Sequence, residues 1–181
     1  MLVGVARKIS NLALIGFMGS GKSSVGRLVA EQLRFHFVDT DELAETRAGK
    51  SINDIFAESG EPAFRELERG IVRELASSTR TVISTGGGLP VNPENLISLK
   101  KHALVVCLWA SPEKSWERLR NQSNRPLLKG TDPLGKIRSL LEMREKFYKQ
   151  ADVLLNTEWR SVREVAQQVI HHFKVACSDL K

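Results

Sequence analysis

The stretch Gly16–Ser23 fits the pattern G-x-x-x-x-G-K-[ST] of a phosphate-binding loop without a mismatch. An apolar run of strand length, 12–15, precedes it, and an amphipathic pattern of helical period, 24–33, follows it. Strand, glycine loop and helix therefore occur in the order that the motif requires. This order favours an α/β fold, and a chance glycine turn between a strand and a helix is the less favoured interpretation.

The residue types of this loop suit the binding of ATP and Mg²⁺. Glycines take backbone conformations closed to other residues, so successive N–H groups can point at phosphate oxygens. Lys22 carries a positive charge to the β and γ phosphates, and the hydroxyl of Ser23 is a hard oxygen ligand for Mg²⁺. We therefore predict an ATP-using kinase. The expected nucleotide-binding residues of this segment are Gly19, Ser20, Gly21, Lys22, Ser23 and Ser24.

The composition limits the classes of protein to which the chain can belong. Its 181 residues are most simply one domain, 1–181, and their net charge of +6 suits an enzyme with polyanionic ligands. Basic residues are interleaved with acids, so nucleic acid is not expected as a partner. The sequence has no apolar run of membrane-spanning length and no signal-peptide core, and its two cysteines lack metal-ligand spacing. We expect a cytoplasmic protein without a membrane partner.

Short apolar runs alternate with helical patterns along the chain. The alternation predicts a three-layer α/β/α sandwich with a five-stranded parallel sheet and right-handed crossovers. The helical region 41–77, interrupted at Gly49 and Gly60, is a candidate substrate-binding insertion, and the polar loop 121–132 is a candidate lid over ATP. The predicted strands are 12–15, 35–38, 81–84, 104–109 and 153–156, and the predicted helices are 24–33, 41–47, 52–59, 62–77, 93–101, one beginning near 112, 133–150 and 161–174.

Candidate site residues follow the second and third predicted strands. They lie at the carboxyl edge of the sheet, where parallel α/β folds bind their ligands. Asp39 and Asp41 follow the second strand, and Asp41 is either a site residue or the cap that begins the next helix. The third strand leads into Gly86-Gly87-Gly88, whose backbone N–H groups would lie at the same edge. Because the third strand ends without an acid, Asp39 is the expected carboxylate on the magnesium side.

Three arginines are candidates for binding anionic groups, and two of them have a simpler alternative. Arg65 lies in the helical insertion, where a solvated helix arginine is the default. Arg125 lies in the polar loop, where it either meets charge on the transferring phosphoryl group or is an ordinary surface residue. Arg144 shares a helix face with Tyr148, four residues on. The sequence alone does not show that Arg65, Arg144 and Asp41 converge.

Taken in order, these motifs resemble those of shikimate kinases over nearly the whole chain. The phosphate loop is shared by very many NTPases, whereas its combination with Asp39-Thr40-Asp41, the triple glycine and Arg125-Pro126-Leu127-Leu128 is specific to that family. Further matching segments are Ile55-Phe56, Gly60-Glu61, Phe64-Arg65 with Glu68, and Arg144-x-x-x-Tyr148. The resemblance implies a P-loop fold of the nucleoside monophosphate kinase type. It also implies transfer of the ATP γ-phosphate to the 3-hydroxyl of shikimate, a step toward chorismate and the aromatic amino acids.

The resemblance implies a catalytic set and a metal site. Asp41 would hydrogen-bond the substrate hydroxyls and take the proton of the attacking one, while Lys22 and the lid residue Arg125 would complete the catalytic set. Ser23 and Asp39 would serve Mg²⁺, with Asp39 acting through water. These roles agree with phosphoryl transfer, which needs positioning and charge stabilisation more than covalent chemistry.

The resemblance also implies where the substrate and the adenine bind. Arg65 and Arg144 would hold the substrate carboxylate, because a planar guanidinium fork suits that group. Arg118 would stack near adenine, and the family is commonly monomeric. The implied substrate-binding residues are Asp41, Phe56, Phe64, Arg65, Gly86, Gly87, Gly88 and Arg144.

Two rival hypotheses remain open at this stage. One is another small-molecule kinase of similar architecture, such as a gluconate kinase or a nucleoside monophosphate kinase, and the triple glycine and the lid motif count against both. The other is a binding module that holds ATP without transferring phosphate and contacts nucleic acid through its basic excess. Intact Lys22, Asp41 and Arg125 argue against the binding module.

Overall fold

The centre of the fold is a parallel sheet, and the computed structural model describes residues 7–120 and 131–178. The strands are β1 (Asn11–Ile15), β2 (His36–Asp39), β3 (Thr81–Ser84), β4 (Ala103–Trp109) and β5 (Val153–Asn156). They form one five-stranded sheet in the spatial order β2-β3-β1-β4-β5. This order places the carboxyl ends of β2, β3 and β1 side by side, with Asp39 opposite Ser84 and Ser84 opposite Leu14.

Helices cover both faces of the sheet. They are α1 (Lys22–Leu33), α2 (Thr40–Ala48), α3 (Ile52–Leu75), α4 (Pro93–His102), α5 (Pro112–Leu119), α6 (Pro133–Tyr148) and α7 (Val162–Ser178), and a 3₁₀ turn, Leu89–Val91, follows β3. Successive side chains of β1 enter opposite cores: Leu12 and Leu14 pack with α1 and α7, whereas Ala13 and Ile15 pack with α2 to α6. The predicted three-layer sandwich is confirmed.

One detail of the insertion agrees with the sequence prediction and one differs from it. The break predicted between the helices 52–59 and 62–77 is present, because α3 is interrupted at Gly60, whose φ of 77° and ψ of 172° are not helical. The cap of α2 is Asp39, whose side chain accepts a hydrogen bond from the N–H of Asp41. The hypothesis that Asp41 is itself the cap is therefore wrong, and its carboxylate lies in the first turn of α2.

The predicted lid lies mostly outside the described residues. Residues 121–130, including Arg125, fall outside them, and Asp132 accepts a hydrogen bond from the N–H of Gly135 at 2.8 Å and caps α6. Within 7–120 and 131–178, no helix combines the length and the apolar character that a bilayer span needs. The division into one domain with an insertion and a lid stays a prediction.

The junction between α4 and β4 contains a buried histidine in its neutral form. The amide oxygen of Asn11 accepts a hydrogen bond from the N–H of Thr81 at 3.0 Å, so the amide NH₂ group lies 2.9 Å from Nδ1 of His102. Nδ1 must therefore be the acceptor, which places the ring proton on Nε2. Burial lowers the pKa of His102 accordingly.

Replacing His102 by Gln is expected to flatten the pH dependence of stability below neutrality. The neutral histidine contributes fully above its ordinary pKa of 6.5. That contribution is lost as the pH falls through this value toward the lower pKa of the folded state. Urea unfolding of both proteins at about pH 7.5 and about pH 5.5 measures the effect. An equal loss of unfolding free energy in the two proteins would assign the titration to another group.

Candidate active site

The loop after β1 has a conformation that requires glycine. A Cβ atom at Gly16, whose φ is 138°, would lie 2.3 Å from the carbonyl oxygen of Leu108, so no larger residue fits. Lys22, the first residue of α1, donates through Nζ to the carbonyl oxygen of Phe17 at 2.9 Å. The lysine is buried against the loop rather than extended into solvent. A positive charge therefore lies where the sequence pattern expects phosphate.

The predicted metal ligands are in direct contact. Ser23 donates through its hydroxyl to Oδ2 of Asp39 at 2.8 Å, while Oδ1 of the same carboxylate accepts the N–H of Asp41 at 3.0 Å. Hard oxygens of this kind fit Mg²⁺, which is usually held by one or two protein oxygens together with substrate phosphates and water. The described residues contain no cluster of three or more His, Cys, Asp or Glu side chains that could form an all-protein metal site.

The triple glycine is the point at which three distant side chains meet. A Cβ atom at Gly86 would lie 2.3 Å from Oδ1 of Asp41. One at Gly87 would lie 3.8 Å from Nη1 of Arg144, and one at Gly88 would lie 2.9 Å from Nη1 of Arg65. Because each glycine lacks a Cβ atom, each leaves room for one of these side chains, which come from α2, α6 and α3 in that order. The structure brings together a carboxylate and two guanidinium groups that the sequence left apart.

Arg65 is held by two acids of its own helix. Its Nη1 donates to Oε2 of Glu68 at 2.6 Å and its Nη2 to Oε1 of Glu61 at 2.7 Å. Burial lowers the pKa of Arg65, but the two acids outweigh it and raise the pKa above its ordinary value. The group stays charged, and the alternative of a solvated helix arginine is wrong, because only 28% of its side chain is exposed.

Glu68 is the least exposed acid of this cluster, and from the sequence no role was predicted for it beyond its place in the motif. Its side chain is only 2% exposed. Burial raises its pKa, the Arg65 guanidinium opposes this, and the charges of Asp41 and Glu61 raise it further. The Asp41 carboxylate is thus electrostatically coupled to the Arg65–Glu68 pair. A signal for this pairing was available, since residues three apart on a helix are neighbours.

Two aromatic rings lie next to Arg65. The ring centroids of Phe56 and Phe64 are 5.0 Å apart, with an angle of 40° between their planes. Phe64 is buried and Phe56 is exposed, and the guanidinium carbon of Arg65 lies 5.4 Å from the centre of the Phe64 ring. This arrangement offers an apolar wall beside a cation, as expected for a ring that carries a carboxylate.

On the nucleotide side, Arg118 is fixed by a threonine that the sequence analysis missed. Its Nη2 donates to the carbonyl oxygen of Thr157 at 2.7 Å, and its Nη1 donates to Gly19 O at 3.0 Å. The Thr157 hydroxyl lies 3.3 Å from the carbonyl oxygen of Ser20. Thr157 therefore ties α5 and the phosphate loop to the end of β5. Its position directly after the apolar residues of a predicted strand was the available signal.

A cavity of about 340 Å³ joins these groups. The residues that line it are Met18, Gly19, Gly21, Lys22, Ser23, Ser24, Asp39, Asp41, Thr85, Gly87, Arg118 and Leu119. It contains most of the predicted nucleotide and metal residues together with the predicted base, Asp41. Arg65 and Arg144 do not line the cavity, but Arg144 lies beside Gly87, which does, and Arg65 lies beside the next residue, Gly88. A second groove, along α7, contains none of the predicted site residues.

Comparison with known proteins points to one family. The family model described as shikimate kinase matches residues 18–174. The shikimate kinase of Thermodesulfovibrio yellowstonii is 42% identical over 166 residues, covering 92% of this chain and 96% of the relative. The structure of the Acinetobacter baumannii shikimate kinase in complex with shikimate superimposes with a TM-score of 0.88 at 35% identity, covering 93% and 95% of the two chains.

A more distant neighbour shows only the shared architecture. A gluconokinase structure from Sinorhizobium meliloti superimposes with a TM-score of 0.62 at 18% identity, covering 96% of this chain and 97% of the other. The fold is therefore common to several small-molecule kinases, as the sequence predicted. The family model and the more similar relatives distinguish between these kinases, and they show that this chain belongs to the shikimate kinase family.

Proposed function

We propose that the protein transfers the γ-phosphoryl group of ATP to the 3-hydroxyl of shikimate, giving shikimate 3-phosphate and ADP. The reaction would serve the synthesis of chorismate and the aromatic amino acids. The observation that carries the proposal is the convergence of Asp41, Arg65 and Arg144 on Gly86–Gly88, beside the phosphate loop. The shikimate present in the Acinetobacter structure supports the choice of acceptor.

The substrate would be held at both ends of its ring. Arg65 and Arg144 bind the carboxylate, since two guanidinium forks supply parallel donors to a planar anion. Phe56 and Phe64 wall the ring, and the backbone N–H of Gly87 donates to a substrate oxygen. The existing ion pairs of Arg65 with Glu61 and Glu68 keep its guanidinium in place before the substrate arrives.

The transfer step needs a base and charge neutralisation. Asp41 accepts the proton of the 3-hydroxyl as that oxygen attacks the γ-phosphorus, and the bond from phosphorus to the bridging oxygen of ADP breaks. Lys22 neutralises charge on the phosphoryl oxygens. Ser23 would hold Mg²⁺ directly and Asp39 through water, and the metal would supply further neutralisation of the β and γ phosphates.

The remaining roles extend the same proposal. Arg118 would stack near adenine, where Thr157 fixes it. Arg125 would close over ATP as part of a lid that excludes water, which otherwise competes as the acceptor. The protein would work as a cytoplasmic monomer of one domain, with shikimate and ATP as its ligands and no nucleic acid or membrane partner.

Product analysis tests the proposed reaction. Incubation with Mg-ATP and shikimate is expected to yield shikimate 3-phosphate and ADP in equal amounts, identified by phosphorus and proton NMR. Omission of Mg²⁺ should abolish the product. ADP formed with inorganic phosphate but without a phosphorylated acceptor would mean that water is the acceptor, and would contradict the proposal.

Replacing Arg65 by Ala is expected to raise the KM for shikimate by about tenfold to a hundredfold, with the KM for ATP little changed. The change removes a charge-assisted donor to the carboxylate and leaves the buried Glu68 without its partner. Steady-state kinetics with each substrate varied in turn measures the effect.

Arg69→Ala is the matched control for this experiment. Arg69 lies one turn further along α3, is partly exposed, and pairs with the exposed Glu66. Its removal should leave both KM values near those of the wild type. An unchanged shikimate KM in Arg65→Ala would move the carboxylate site elsewhere.

A further inference from the structure

Tyr148 is the only tyrosine of the chain, and it lies at the end of α6 with its side chain fully buried. Its hydroxyl donates to the carbonyl oxygen of Gly87 at 2.7 Å, across 61 residues of sequence. Gly87 is the middle residue of the glycine turn. The hydroxyl therefore fixes the orientation of the peptide group that follows the predicted substrate-binding N–H.

The same phenol also lies close to Arg144, one helical turn earlier. The Arg144 guanidinium is close enough to the phenol of Tyr148 for its charge to oppose the rise in the pKa of that phenol. Nη1 of Arg144 in turn lies 3.8 Å from the position of a Cβ atom at Gly87. Tyr148 thus bonds Gly87 directly, and Arg144 lies beside both of these residues.

The protonation state of Tyr148 suits a fixed hydrogen-bond donor. Burial raises its pKa to about 12, and the nearby Arg144 charge opposes this only in part. The hydroxyl keeps its proton at every pH at which the enzyme would work. A group in this state does not exchange protons with the substrate, so its role is to position other groups.

We infer that Tyr148 is a positioning residue for the acceptor site, which holds Arg144 and the Gly87 peptide group in the arrangement that binds the substrate carboxylate. This inference rests on the proposed function, because it assumes that Arg144 binds the carboxylate of shikimate. The inference assigns a role to the Tyr148 hydroxyl that does not require contact with the substrate. The role differs from that of Glu68, which holds the other arginine from within α3.

The test uses Tyr148→Phe with shikimate and with shikimate methyl ester, which lacks the carboxylate charge. Loss of the hydroxyl is expected to raise the shikimate KM by about tenfold. The KM for ATP should change little, and the kcat/KM for the ester, which is expected to be a poor substrate, should also change little. In an Arg144→Ala background, the same change should have little further effect, because the hydroxyl acts through that arginine.

Thr81→Val provides a matched control. Thr81 is also buried and donates its hydroxyl to a backbone carbonyl, that of Thr79, at 3.1 Å, but it lies at the amino end of β3, away from the glycine turn. It should cost stability without raising the shikimate KM. Thermal unfolding of both variants shows whether either change acts through the fold as a whole.

The outcomes separate the two proposals. A wild type that prefers the acid to the ester, with an unchanged shikimate KM in Tyr148→Phe, overturns the inference and leaves the proposed function intact. A Tyr148→Phe variant in which the KM values for shikimate and ATP rise together has lost structure, which also overturns the inference. A wild type that uses acid and ester equally has no carboxylate site, which overturns the inference but not the phosphorylation of shikimate. A wild type that phosphorylates neither acid nor ester contradicts the proposed function itself.

Discussion

Replacing Asp41 by Asn is expected to lower kcat for shikimate phosphorylation by about a hundredfold to ten thousandfold, while the affinity for ADP stays near that of the wild type. The amide keeps the size of the carboxylate but cannot take the proton of the attacking hydroxyl. Asp41 lies in the first turn of α2, in contact with Gly86 and in the cavity that holds Lys22. Steady-state turnover and ADP titration by calorimetry measure the two quantities.

Glu42→Gln is the matched control for Asp41→Asn. Glu42 is the next residue of α2, but its side chain is exposed and pairs with Arg27 at 2.5 Å. The control should turn over at the wild-type rate. Near-normal turnover by Asp41→Asn would remove Asp41 from its proposed role as the base.

Replacing Gly86 by Ala is expected to lower kcat/KM for shikimate by about a hundredfold or more. The new methyl group would lie 2.3 Å from Oδ1 of Asp41, so the carboxylate has to move. The backbone itself does not resist the change, because Gly86 is not among the glycines with a positive φ. The effect therefore reports the displacement of Asp41 rather than backbone strain.

Gly70→Ala separates this effect from the general consequence of adding a methyl group. Gly70 lies in α3, and a Cβ atom there would meet nothing within 4 Å. The control should be active and slightly more stable, by about 0.5–1 kcal/mol, since alanine favours a helix. In an Asp41→Asn background, Gly86→Ala should cost little more activity. Full activity of Gly86→Ala alone would show that the carboxylate tolerates displacement.

The periodicity of the sequence was sufficient to predict the fold. Each predicted strand overlaps an observed one, because buried parallel strands read as short apolar runs and the phosphate loop fixes the first strand-to-helix turn. The errors lie at element boundaries. Asp39 rather than Asp41 caps α2, since both acids are capable caps and only the backbone geometry decides between them.

The candidate site was predictable in its residue types but not in its connections. Three residues of the site act through contacts with other residues, namely Glu68, Thr157 and Tyr148. No local sequence pattern distinguishes such contacts from ordinary packing. Tyr148 illustrates this best, because its partner Gly87 lies on another element 61 residues away. The resemblance to the family named Arg65 and Arg144 as a pair, and only the glycine turn shows why they can meet.

The most direct test of the proposed activity is ADP release from Mg-ATP with shikimate, gluconate, a nucleoside monophosphate or no acceptor. We predict rapid release with shikimate alone, and loss of that release in Asp41→Asn. Turnover with gluconate or a nucleoside monophosphate in place of shikimate would contradict the proposed substrate and keep only the kinase fold. ATP binding without turnover of any acceptor would contradict the assignment as a kinase and favour a nucleotide-binding module.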